Sequence, residues 1–115
     1  MTSFVILIDS DCFANPVLDD VRRFCQAAAA RGDSIAQIFF YRQAVTAVLA
    51  EPDLPADEPD LLAVLLQLCQ QQQIPLHYCA TAAQKRGIQQ ARSGIELSGL
   101  AEFAMTLARH KLVQF

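Results

Sequence analysis

The chain has 115 residues, 53% of them apolar and only 18% charged, with a formal net charge of −3. That length suits one domain over residues 1–115 with enough apolar content for an unstapled core, and the acidic balance excludes a surface built to grip nucleic acid directly. Met1-Thr2-Ser3 runs into an apolar strand with no basic or cleavable leader, and no apolar stretch nears the roughly 20 residues of a membrane span, so a cytoplasmic protein without membrane contact is expected.

Ser3 to Asp9 (SFVILID) is a continuous apolar run ending in polar residues, the pattern of a strand buried on both faces. Asn15-Pro16 offers a helix cap followed by proline at the first helical position. Val17, Val21, Phe24, Cys25 and Ala28 then recur at helical spacing, and Arg31-Gly32 is a stop signal. Ile35 to Tyr41 (IAQIFFY) is a second buried strand, and Arg42 to Ala50 forms a short helix. Glu51 to Pro59 holds three prolines and four acids and is a surface connection. Asp60 to Gln73 is a leucine-rich helix with Leu61, Leu65, Leu68 and Cys69 on one face. Ile74 to Cys79 (IPLHYC) is a third strand. Helix resumes from Ala80 to about Ala91, with Gly87 a weak point within it. Ser98 caps a last helix running to about Arg109, and Lys111 to Phe115 closes the chain as a strand.

Strands alternating with helices, most strands apolar throughout, predict an α/β fold: a mostly parallel sheet of four or five strands with helices on both faces. Reactive groups in such folds gather at the carboxyl ends of strands, which selects the loops after Asp9, Tyr41 and Cys79. Cys79 is the best placed. It ends a strand and directly precedes the helix start Ala80-Thr81-Ala82-Ala83, whose unpaired N–H groups and positive dipole end favour negative charge on sulfur, whether thiolate or persulfide.

The other cysteines read differently. Cys25 and Cys69 fall on apolar helix faces and are core residues. Cys12 lies in the loop after the first strand, either a plain loop cysteine or a resolving thiol for Cys79. No C-x-x-C pair exists and neither histidine stands at ligand spacing from a cysteine, so no metal site is expected. Lys85 and Arg86 are either a solvated helix face or a basic rim beside Cys79. His77 shares a strand face with Cys79 and is expected to be structural. A tyrosine-phosphatase loop is rejected because the sixth residue after Cys79 is Lys85 rather than arginine, with no glycine between them. Asp9-Ser10-Asp11 reads as loop hydrogen bonding rather than a metal site.

Taken together, Phe39-Phe40-Tyr41-Arg42 with Val45, His77-Tyr78-Cys79-Ala80 leading through Ala82-Ala83 to Lys85-Arg86-Gly87-Ile88, Leu97-Ser98-Gly99-Leu100, and Val113-Gln114-Phe115 resemble the DsrE/TusD family. The resemblance implies a DsrE/F-like α/β subunit in which Cys79 is the catalytic residue, accepting persulfide sulfur and passing it on without cofactor. It implies TusC- and TusB-like (or DsrF- and DsrH-like) subunits, a TusA-like donor and a TusE-like acceptor, in a hetero- or homo-oligomer. The end product would be 2-thiouridine at the tRNA wobble position or, in DsrE-type proteins, bacterial sulfur oxidation. Typical members carry a glycine-bearing loop after the first strand, where this chain has Asp9 to Asn15, and a longer connection than Gln89 to Glu96. The rival readings are an interaction subunit with an inert cysteine and a thiol redox protein pairing Cys12 with Cys79.

Overall fold

The computed structural model describes residues 2–12, 16–49 and 60–115. The expected cap at Asn15, the connection at 51–59 and the end of the short helix at Ala50 lie outside these residues. The described chain forms strands β1 (Ser3–Ile8), β2 (Ser34–Phe40), β3 (Leu76–Cys79), β4 (Ile95–Ser98) and β5 (Lys111–Gln114). Its helices are α1 (Val17–Ala30), α2 (Leu61–Gln72), α3 (Ala80–Lys85) and α4 (Leu100–Leu107), with a 3₁₀ segment at Arg42–Val48. The strands make one sheet in the order β4-β3-β2-β1-β5, and every pairing is parallel.

The sheet is buried where the sequence is most apolar. Val5, Ile6 and Ile8 of β1 and Ile38, Phe39 and Phe40 of β2 are inaccessible to solvent, and they form the middle of the core. Side chains alternate along a strand, so Phe4, Ile6 and Ile8 share one face; the register pairs Leu7 with Phe39 and Ile8 with Phe40, which puts Phe39 on the other. Phe24 of α1 meets Phe4 edge-on at 5.2 Å, while Phe103 of α4 stacks on Phe39 at 4.6 Å. Helices therefore cover both faces, α1 with α2 beside it on one and α4 on the other.

Local chemistry sets where the helices stop. After α3, the amide of Ile88 donates to Ala83 O and that of Gly87 to Gln84 O, with Gly87 at a φ of 70°. This paired closure around a left-handed residue satisfies carbonyls that the last turn leaves open, and glycine accepts the conformation without a Cβ clash. Gly87 thus ends the helix outright, and α3 spans Ala80–Lys85 instead of reaching Ala91. The same closure follows α2, where Ile74 N donates to Cys69 O and Gln73 takes the left-handed position at φ 58°.

Two further expectations need correction. Ser98 does not cap α4: it is the last residue of β4, Gly99 occupies the cap position, and the Ser98 hydroxyl donates to the Glu102 carboxylate at 3.0 Å. The strand β4 itself goes unannounced in the sequence. It is a four-residue edge strand with Glu96 and Leu97 exposed, too short and too mixed for a strand pattern to show. The short helix expected from Arg42 is a 3₁₀ segment over Arg42–Val48, and the buried stripe of α2 centres on Leu62, Leu65 and Cys69, with Leu61 and Leu68 half-buried beside it.

Candidate functional site

Cys79 closes β3 at the carboxyl edge of the sheet. Its backbone is still extended (φ −72°, ψ 122°), and Ala80 begins α3 without an intervening loop. This abrupt junction follows from the residues: β3 is buried and ends against the core, and the alanines after it are strong helix formers with nothing to delay the turn. Register with β4 sets Ser98 beside Cys79 on the face that also carries His77 and Phe39. The sulfur accepts no capping hydrogen bond from α3, and with six residues α3 carries a smaller dipole than the longer helix read from the sequence.

Cys79 is only 1% exposed, so its sulfur is covered by neighbouring groups. Two cavities flank the helix that follows it, though Cys79 itself lines neither. On one side of α3 a cavity of about 380 Å3 is bounded by Tyr78, Ala80, Gln84, Ile88 and Leu97. On the other a cavity of about 440 Å3 is bounded by Tyr41, Arg42, Lys85, Arg86, Leu100 and the first turn of α3. The helix that follows the cysteine therefore stands between two openings.

The remaining candidates separate cleanly. Cys12 is buried, its thiol donates to Ser10 O at 3.6 Å, and burial followed by the Asp11 charge pushes its pKa up to about 12. A thiol so protonated at neutral pH is a poor nucleophile, and β2 stands between the strand it follows and β3. Cys25 and Cys69 are fully buried, raised by burial to about 11 and about 12, with the neighbouring Cys25 adding to the effect on Cys69. His77 faces Gln37, whose Nε2 lies 2.6 Å from His77 Nδ1; with the amide donating, the ring is held along the strand. His110 Nδ1 meets Ser3 Oγ at 2.7 Å, at the opposite end of the sheet from Cys79. Asp9 accepts from Gln114 Nε2 at 2.8 Å, and among the described residues no group of three or more His, Cys, Asp or Glu is placed to hold a metal ion.

Lys85 and Arg86 are both exposed, and both border the cavity beside the Cys79–α3 junction. The sequence did not single out Arg42, which the fold brings to the same cavity from the end of β2. Its signal was available: Arg42 follows a strand carboxyl end, where the parallel fold collects functional groups.

The comparisons with known proteins agree with this architecture. The model of a family described as DsrE/DsrF-like matches residues 2–115. The chain is 30% identical to Sulfurtransferase TusD of Pectobacterium atrosepticum and to that of Serratia proteamaculans, covering 100% of both chains in each case. Among solved structures it superposes on the ychN protein from E. coli with a TM-score of 0.80 at 23% identity, again over 100% of both chains.

Proposed function

The chain belongs to the DsrE/DsrF-like family, and on that premise we propose that Cys79 is the sulfur-carrying residue of a sulfur-relay sulfurtransferase subunit. The observation that carries the assignment to Cys79 is its position: it alone of the four cysteines ends a strand at the carboxyl edge and stands against a helix start flanked by cavities.

The transfer is a pair of thiol exchanges. The Cys79 thiolate attacks the terminal sulfur of a donor's cysteine persulfide; the donor's S–S bond breaks, its inner sulfur leaves as thiolate, and a persulfide forms on Cys79. An acceptor thiolate then attacks that terminal sulfur, forming the acceptor persulfide and releasing Cys79 as thiolate. Atoms and charge balance in each step without an external oxidant or cofactor. Because the sulfur is covered at rest, each exchange goes with local opening at the rim. The six-residue α3, bounded by two cavities, is the segment to which we assign that opening. Between exchanges the cover protects the persulfide from small thiols.

The relay partners are further sulfur-relay proteins, in a cytoplasmic assembly of the kind that thiolates the wobble uridine of tRNA. Exposed apolar side chains fit such an assembly: Met105 of α4 and Leu97 of the edge strand β4 are 76% and 60% exposed. Among the described residues no helix is long and apolar enough to cross a membrane.

The decisive experiment is loading with labelled sulfur by a cysteine desulfurase and its cysteine substrate. Wild-type protein gains one sulfur on Cys79 by peptide mass mapping, and Cys79→Ser gains none while keeping its fold by circular dichroism. Label on Cys79→Ser, or on a different cysteine of the wild type, overturns the assignment.

A further inference from the structure

A relay requires the partner's cysteine to be delivered beside Cys79, and the cavity at the Tyr41–Arg42 turn has the chemistry to guide it. Among the described residues three cations, Arg42, Lys85 and Arg86, line it, and no acidic side chain does. Arg22, Arg23, Arg31 and Arg92 each lie within ion-pair distance of an aspartate; among the described residues Arg42, Lys85 and Arg86, like Arg109 and Lys111, have no such neighbour, but only the first three share a cavity. Arg86 is instead held by neutral acceptors, Ala82 O at 3.3 Å and Gln43 Oε1 at 3.4 Å, which fix the guanidinium without cancelling its charge. Arg42 stands 5.3 Å over the Tyr41 ring on a backbone of φ 52°, a left-handed conformation that is strained for a non-glycine residue and that recurs at ligand clamps. Three cations without an acidic partner among the described residues are thus gathered at one opening of a chain whose net charge is −3.

We propose that this cavity receives the carboxylates of an acidic stretch flanking the reactive cysteine of a partner protein, registering that cysteine against Cys79. The proposal rests on the reading of Cys79 as carrier. A volume of about 440 Å3 is in the range of sites that take a drug-sized ligand, room for one or two acidic side chains and more than one small inorganic anion needs. A nucleic acid is disfavoured because three cations in a confined opening fall short of the roughly 6–10 phosphate contacts of a nucleic-acid track.

The test uses fluorescein-labelled hexaglutamate as the probe, hexaglutamine as its neutral control, and anisotropy at low salt. Wild type binds hexaglutamate and not hexaglutamine, and added salt weakens the binding. The double variant Arg42→Gln/Lys85→Gln loses about tenfold or more in affinity, whereas Arg109→Gln/Lys111→Gln, which removes the same charge elsewhere, does not. Equal affinity for the two peptides overturns the proposal, as does equal loss in both double variants. Tighter binding of unmodified tRNA, or displacement of the peptide by equimolar thiosulfate, also overturns it. Loading of the wild type with inorganic polysulfide is measured in parallel: failure to load Cys79 defeats the carrier reading, and the peptide titration judges the cavity regardless.

Discussion

The four cysteines are distinguished by what surrounds each sulfur. Cys12, Cys25 and Cys69 are held neutral by burial, their pKa values pushed from the ordinary 9.0 to about 12, 11 and 12. The folded state keeps these protons where the unfolded chain releases them, so the stability they contribute is complete below pH 9.0 and is lost as pH rises through about 11 to 12. The thermal midpoint is expected to fall with pH above 9, and less steeply in Cys25→Ala/Cys69→Ala; parallel slopes for that variant and the wild type would refute the account. Cys12→Ser should load sulfur at the wild-type rate within about twofold, since its neutral thiol supplies no nucleophile. At this scale the sequence spoke well for Cys25, Cys69 and His77, because periodicity tells which face a side chain takes. It could not show that Cys79 is only 1% exposed, because burial at a strand end depends on how the chain packs around it in three dimensions.

Elements were legible in proportion to their length and patterning. β1, β2, α1 and α2 announce themselves through long apolar runs or helical spacing. β4 has four residues, one exposed and one buried on each face, and the sequence between Gly87 and Ser98 gives no period to read. Helix ends turned on single residues, and these invite measurement. Gln73 occupies a left-handed position that glycine takes after α3, so Gln73→Gly is expected to stabilise the protein by about 1 kcal/mol in urea unfolding, while Gly87→Ala destabilises it by a similar amount. Asp60 is the mirror case at a helix start. Its side chain accepts from Ala63 N at 3.2 Å and meets Arg92 Nη1 with both oxygens at 2.8 Å. Burial alone would raise its pKa, but the hydrogen bonds from Arg92 and Ala63 outweigh it and hold the carboxyl below its usual value. That contribution is present above the ordinary carboxylate pKa and fades as pH falls below it. Asp60→Ala should cost about 1 kcal/mol of stability at neutral pH, most of it from the lost cap, and a cost that does not shrink in acid would count against this reading.

For the molecule as a whole, the parallel sheet and its two helical layers follow from alternation of strand and helix, and the sequence was sufficient for both. Strand order was not, because nothing in a linear pattern says that the last strand returns to the first. That return has a consequence for how the protein is made. β1 sits between β2 and β5, and the Phe115 backbone bonds to Leu7 and Asp9. Until residues 111–115 leave the ribosome, β1 presents a bare row of peptide groups beside fully apolar side chains, an invitation to wrong pairing. Deleting 111–115 should therefore give aggregated protein rather than a soluble, weakened carrier, and synthesis itself acts as a checkpoint: a nascent chain cannot seal its first strand before its last one emerges.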